Sequence, residues 1–482
     1  MSTSSTGPRP PRERFERRAT IAASPSALFA WHARPGAFER LAPPWDPVRV
    51  VARTPGEHGG NITNGARVTL DVPVVRVPAL GAVTTRWVVE HRDYVAGRQF
   101  RDVQIAGPFA RWEHLHRVEP SDDGRGSVLV DTIDYELPLG ALGRAAGGPI
   151  ARHKLDRLFA YRHAVTAADL QRHESFAERG TLKVAITGAT GLIGRALIPF
   201  LTTGGHEVHR LVRSRDRMQP GDVYWNPEAG EIDAAALDGV DAVIHLAGET
   251  VSERWTAAHK RAIRESRVKG TGLLARALAE LPNPPKVFVS ASAVGYYGDG
   301  GDRVLDEESG QSGSDFLSGV ARDWEAAAEP AEHRGIRVVH PRFGVILSAA
   351  GGALERLLPP FKLGVGGRLG SGAQWMSWIA LDDVIGALHF LLFTPSISGP
   401  VNVTSPQPVT NAVFAKTLGH VLGRPAVAAV PSLVLKLTFG EMAETMLLAG
   451  QRAMPRKLEA AGFEFRHPLL EEALRFELGK AG

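Results

Sequence analysis

The run Leu182-Lys-Val-Ala-Ile-Thr-Gly188-Ala-Thr-Gly191-Leu-Ile-Gly194-Arg-Ala-Leu-Ile-Pro-Phe-Leu201 constrains this chain more than any other stretch. A short β-branched run ends in glycines and an apolar helical pattern follows at once. That is the order of a strand, a tight turn and a helix start. Gly188 can take backbone angles closed to other residues, Gly191 keeps the turn free of a side chain, and Gly194 lets the helix lie close on the strand. The exposed N–H groups and the positive end of the helix dipole favour an anion there. In this context the glycines point to the pyrophosphate of a dinucleotide, with Gly188, Thr190, Gly191, Leu192, Ile193 and Gly194 as contacts.

A chain of 482 residues is long for one domain and suggests two or three. Four segments are expected: a disordered Ser/Thr/Pro/Arg-rich tail over 1–18, an α+β domain over 19–173, a nucleotide-binding domain over 182–425, and a helical domain over 426–482. No apolar run is long enough to span a bilayer. The absence of cysteine excludes disulfides, thiolate metal sites and cysteine nucleophiles, and it fits a reducing cytoplasm. The net charge of +4 is small for this length, and basic residues are interspersed with acids, so nucleic acid is not an expected partner. The histidines show no metal-ligand spacing, and no metal is expected.

After residue 182, strand patterns over 184–187, 207–212, 242–246, 286–290 and 337–340 alternate with helical patterns, notably over 256–281 and 316–333. Such alternation implies an α/β fold with a doubly wound parallel sheet of Rossmann type. The end of the second strand selects the dinucleotide, because an acidic residue there would hold a ribose hydroxyl. Here it reads Val212-Arg213-Ser214-Arg215 with no carboxylate. Arg213, helped by Ser214, suits a 2′-phosphate and favours NADP. The run Ile244-His245-Leu246-Ala247-Gly248-Glu249 ends a buried strand in small residues, which lets a cofactor lie against the backbone at Leu246, Ala247, Gly248 and Glu249.

Before residue 174 the order is a helix opened by Ser24-Pro25, short alternating strands, and a long helix from about 149 to 173. With the blocks "SPSALFAWHARPGAFERLAPPW" and "GRQFRDVQIAGPFARWEHLHRVEP", this order resembles the helix-grip fold of the START, polyketide-cyclase and plant-allergen superfamily. The resemblance implies a curved sheet around a helix and an apolar ligand cavity. Trp31, Trp45, Trp87, Phe109 and Trp112 are candidates to line it, or simply to fill the core.

The rear portion resembles the extended short-chain dehydrogenase/reductase family, which includes nucleotide-sugar epimerases. The matching blocks include "LAGE" at 246–249, "SRVKGT" at 266–271, "SASAVGYYG" at 290–298, "DWE" at 323–325 and "MPRKLEAAGF" at 454–463. Their combination is similar to an epimerase-like branch of unassigned activity. The wider family uses a Tyr-x-x-x-Lys pair, in which the lysine lowers the tyrosine's pKa. None of the six tyrosines here has that partner, and Arg267 stands where an asparagine is usual. The resemblance carries the substrate-orienting hydroxyl onto Ser292, with Tyr296 or Tyr297 as a displaced acid or as packing under the nicotinamide. Glu249, Lys260 and Arg267 are candidates for charge near the cofactor, Lys260 and Arg264 sooner for a solvated helix face, Arg368 for an anion contact or equally for a solvent-facing position, and His245 for a satisfied core histidine. The expected function is an NADP(H)-dependent oxidoreductase or epimerase-like enzyme acting on a small molecule at an oxygen-bearing carbon, with an apolar-ligand domain in front. The alternative is a non-catalytic NADP sensor.

Overall fold

The structure, a computed structural model, describes residues 13–46, 48–77, 81–310 and 313–480. The chain divides into two compact units: one runs to Ala177, and the other comprises Glu178–Thr202 and His206–Lys480.

In the first unit, β1 (Glu13–Ile21), β2 (Arg49–Thr54), β3 (Arg67–Val77), β4 (Gly81–Val95), β5 (Gln99–Ala106), β6 (Arg111–Pro120) and β7 (Ser127–Glu136) form one antiparallel sheet in the order β1-β7-β6-β5-β4-β3-β2. Two helices, α1 (Pro25–Ala33) and α2 (Ala37–Leu41), lie between β1 and β2 in sequence, and α3 (Gly140–Glu174) follows β7. Ser24 Oγ caps α1 by accepting from the Ala27 N–H at 3.2 Å, as its sequence predicts. Alternation along β6 buries Trp112, His114, His116 and Val118. The buried side of the sheet packs on α3: Phe15, Trp112, Ile133 and Tyr135 meet Leu155 and Phe159. The expected helix-grip arrangement of one antiparallel sheet against a long closing helix holds.

Two expectations change here. Residues 1–12 of the expected tail lie outside the described residues, but Glu13–Arg18 belong to β1. Phe15 is fully buried, and Arg14 and Arg18 reach Asp134 and Glu119 at 2.8 Å, so the arginine-rich segment is a charged strand with one anchored side chain. The long helix also begins at Gly140, with Pro149 inside it. The expected start rested on apolar positions at helical spacing, which begin at Ile150; the helix instead runs through Pro149 and gives up one backbone hydrogen bond.

In the second unit the elements are β8 (Lys183–Thr187), α4 (Leu192–Thr203), β9 (Glu207–Val212), β10 (Val223–Asn226), β11 (Glu231–Ile232), β12 (Ala242–His245), α5 (Ala257–Glu280), β13 (Val287–Ser290), β14 (Ser292–Ala293), β15 (Val304–Leu305), α6 (Phe316–Ala326), α7 (Glu329–His333) and β16 (Arg337–Phe343). The sheet runs β10-β9-β8-β12-β13-β16 with every neighbour parallel, and Gly399–Val403 extends it beside β16. Ala185, Val243, Phe288 and Val338 of the strands pack with Leu274 and Leu278 of α5. The order reverses between β8 and β12, which opens a crevice beyond their carboxyl ends. The helical pattern over 316–333 proves to be two helices, because Pro330 starts α7 anew.

The segment 426–482 is expected as a separate helical domain, but its described residues, 426–480, lie within the second unit. Its strand Ala428–Val430 pairs with Gly367–Leu369, and Arg452–Ala453 pairs with β15. Sequence periodicity shows its helices (Ser432–Phe439, Arg456–Ala460 and Leu470–Glu477), but not strands of two or three residues that borrow a partner. Among the described residues, no helix is long and apolar enough to cross a membrane.

Candidate nucleotide site and the groups beside it

The glycines after β8 sit where their lack of a side chain is required. Gly188 has φ +70°, and a Cβ there would lie 2.8 Å from the Leu246 carbonyl carbon. A Cβ on Gly194 would lie 2.3 Å from the Gly188 oxygen, so α4 packs directly on the turn. Gly191 is exposed, and its added Cβ would meet only the Gly188 oxygen, at 3.2 Å. Thr190 is exposed, and Leu192 and Ile193 are half-buried in the first turn of α4. The turn is closed by the Gly191 N–H donating to the Gly188 oxygen at 2.9 Å.

The end of β12 is tied to the same place. Thr187 Oγ1 accepts from the N–H groups of Leu246 and Ala247 at 3.0 and 3.1 Å and lies 2.7 Å from His245 Nδ1. His245 is fully buried; burial, with a smaller contribution from the Arg267 charge, lowers its pKa to about 3. It is therefore a neutral core histidine. Gly248 and Glu249 are exposed. Arg267 donates to the Glu249 oxygen at 3.0 Å and its guanidinium lies 4.9 Å from the Trp324 ring. Burial lowers its pKa to about 10, against the pull of Glu249, so it remains a cation.

At the end of β9, Arg213 is exposed and Ser214 half-buried, while the Arg215 guanidinium lies 3.6 Å from the Tyr224 ring. No carboxylate follows the strand until Asp216.

Ser292, in β14, is buried and donates to Glu325 Oε1 of α6 at 2.6 Å. Arg342 of β16 binds both oxygens of that carboxylate at 2.8 Å. The same guanidinium donates to Tyr297 Oη at 3.0 Å and lies 3.5 Å from the Tyr296 ring. Tyr297 is fully buried, with Oη 2.8 Å from both the Asp306 oxygen and Asn402 Oδ1. Burial raises its pKa to about 12, despite Arg342 and the Asn402 contact. Tyr296 is half-buried. The loop bearing both tyrosines is braced by the C-terminal segment. Gly300 donates to the Gly450 oxygen at 2.9 Å, Gly450 to Asp299 Oδ1 at 3.1 Å, and Gln451 Nε2 to the Gly298 oxygen at 2.9 Å.

Sequence reasoning gave Glu325, Arg342 and Asn402 no role. A usable signal was Arg342 itself: a charge in the strand run Val338–Phe343, where only His340 is otherwise polar, needs a buried partner. The remaining candidates are paired. Lys260 binds Glu441 at 2.8 Å, Arg264 binds Asp323, and Arg368 donates to the Ser371 oxygen at 3.2 Å.

Residues 184–403 match the NAD dependent epimerase/dehydratase family. The epimerase family protein Mb2239 of Mycobacterium bovis is 46% identical over 300 residues, which are 62% of this chain and 98% of that protein. The chain belongs to the epimerase family. Its NAD(P)-binding members include the human epimerase family protein SDR39U1, whose crystal structure with NADPH is 37% identical, has a TM-score of 0.57, and aligns over 62% of this chain and 100% of that one. A crystal structure of a nucleoside-diphosphate sugar epimerase from Corynebacterium glutamicum is 34% identical with a TM-score of 0.77, covering 97% of this chain and 90% of that one. In this epimerase family member, residues 12–167 match the polyketide cyclase / dehydrase and lipid transport family, and residues 430–477 match a domain of unknown function, DUF1731.

Proposed function

We propose that this chain is an NADP(H)-dependent oxidoreductase or epimerase-like enzyme acting at an oxygen-bearing carbon of a small molecule. The observation that carries it is the side-chain-free cradle at Gly188, Gly191 and Gly194, placed at the switch point between β8 and β12. The cradle fits a pyrophosphate, and Arg213 and Ser214, with no carboxylate at the strand end, fit a 2′-phosphate. The NADPH bound by the human relative supports the same choice. When bound, the nicotinamide supplies or accepts a hydride.

Ser292 follows β13, two strands from β8, so it stands at the same carboxyl edge of the sheet. Its proton is committed to Glu325, which leaves the oxygen's lone pairs to accept from a substrate hydroxyl. Ser292 then orients the substrate oxygen, and Glu325 is placed to take a proton through the serine. Tyr297 is bound on every side and is protonated at neutral pH, so it serves as packing; Tyr296 is the tyrosine left for acid/base work. The front unit holds an apolar ligand, a reading supported by its family match.

The second reading, a protein that binds NADP without turnover, is favoured by the missing Tyr-x-x-x-Lys pair and by the locked Tyr297. Thermal stabilisation by NADPH against NADH tests the cofactor. NADPH consumption across a carbonyl panel, lost in Ser292→Ala, supports the enzyme; binding with no consumption supports the sensor. Native mass spectrometry of the full chain tests for a carried apolar ligand.

A further inference from the structure

A strand places residues two apart on one face. On β6 this brings His114 and His116 to the buried side of the front unit's sheet, 2% and 7% exposed. The register sets Asp102 of β5 opposite His114 and Asp131 of β7 opposite His116. Asp102 Oδ2 lies 3.3 Å from His116 Nε2 and 3.9 Å from His114 Nδ1. One donor atom from each of these three residues lies within 4.8 Å of the others. The opposite ring nitrogens, His114 Nε2 and His116 Nδ1, are each 2.8 Å from Asp131 Oδ1. His163 of α3 holds the second Asp131 oxygen at 2.6 Å. His91 of β4 lies 2.7 Å from Asp102 Oδ1, yet both atoms, like His116 Nδ1, are buried without an aligned hydrogen bond.

We infer that Asp102, His114 Nδ1 and His116 Nε2 form a three-ligand site for a divalent transition-metal ion of the zinc class. Two imidazoles and a carboxylate are a donor set that zinc takes. The two edges from Asp102, 3.3 and 3.9 Å, are near the roughly 3.4 Å spanned by neighbouring ligands of a tetrahedral ion with bonds of about 2.0–2.1 Å. Asp131 stands behind both rings. Accepting from the far N–H of His114 at 2.8 Å, it fixes the tautomer that leaves a lone pair on the His114 nitrogen facing Asp102, while the same oxygen lies 2.8 Å from His116 Nδ1, out of line for a hydrogen bond. The competing cation is a proton on His116, whose Nε2 lies in hydrogen-bond geometry with Asp102 Oδ2 at 3.3 Å, and an anomalous map empty at this place is the outcome that identifies it. Three protein ligands leave a coordination position for water or a ligand oxygen. No metal is expected from the sequence, where ligand spacings on helices or knuckles are absent; the signal present was His114-Leu115-His116 on a strand. This site is independent of the nucleotide reading, since all its residues belong to the first unit.

The full chain, purified without metal-affinity steps or chelator and then given equimolar zinc, is expected to hold about one ion per chain. Crystals measured across the zinc edge are expected to show an anomalous peak among Asp102, His114 and His116. Competition with a chromophoric chelator is expected to show zinc affinity lowered at least ~100-fold in His116→Gln and Asp102→Asn, and about 10–100-fold in Asp131→Asn, where the positioning carboxylate alone is lost. No peak at that place, or zinc affinity in His116→Gln equal to that of the unaltered chain, overturns the proposal. If the variants fail to fold by circular dichroism, the anomalous map of the unaltered chain decides alone.

Discussion

Ser292 Oγ and Glu325 Oε1 are 2.6 Å apart, and the carboxylate that accepts the serine proton is also clasped by Arg342. Arg342 and Glu325 are 3% and 13% exposed at their side chains, so neither charge has water as a ready substitute. Removing one partner strands the other. Glu325→Ala is expected to destabilise the chain by about 3–5 kcal/mol, and Glu325→Leu with Arg342→Met to recover most of that loss. Urea denaturation of the two variants checks both statements.

The glycines of the cradle separate fold from binding. Gly194→Ala puts a methyl 2.3 Å from the Gly188 oxygen and is expected to lower both stability and NADPH affinity. Gly191→Ala meets only one atom, at 3.2 Å, on an exposed turn. It is expected to leave the melting temperature nearly unchanged while weakening NADPH at least ~10-fold, because its methyl occupies space the phosphates need. Calorimetric titration beside thermal melts reads the two effects apart.

If the chain takes NADP as proposed, Arg213 is the residue that sets the choice between dinucleotides. Arg213→Ala is expected to weaken NADPH by roughly 10–100-fold, the loss of a charged hydrogen bond worth about 1.5–3 kcal/mol, and to leave NADH unaffected. Equal losses for both dinucleotides would place the arginine elsewhere in the site.

His245 makes stability depend on acid. Its pKa is about 3 in the folded chain against 6.5 unperturbed, so the unfolded chain binds the extra proton between these values. Its contribution is fully present above about pH 6.5 and is lost as pH falls toward 3, to a limit on the order of 5 kcal/mol. Chemical denaturation at a series of pH values is expected to show a shallower decline in His245→Gln.

The parallel sheet and the glycine turn were legible because each rests on local pattern: β-branched runs alternating with helical ones, glycines at a strand end, and a helix cap at Ser24, whose Oγ accepts from Ala27 at 3.2 Å. Ser292, Tyr296 and Tyr297 were found through family blocks. Glu325, Arg342 and Asn402 were not assigned, because their meaning comes from three elements meeting far apart in sequence. The histidine–aspartate cluster was missed for a related reason. Its members lie on β4, β5, β6, β7 and α3, and only cross-strand register brings them together. The arginine-rich start read as a tail because a single phenylalanine, Phe15, is a faint signal for a strand.

The brace between Gly450 and Asp299 spans 151 positions of chain. During synthesis the cradle around Gly188 can close long before Gly450 leaves the ribosome, whereas the tyrosine-bearing turn acquires its final shape only afterwards. A product terminated upstream of Gly450 would therefore combine a finished glycine turn with an unset tyrosine-bearing edge, and nucleotide retention would be a poor reporter of whether such a product had matured.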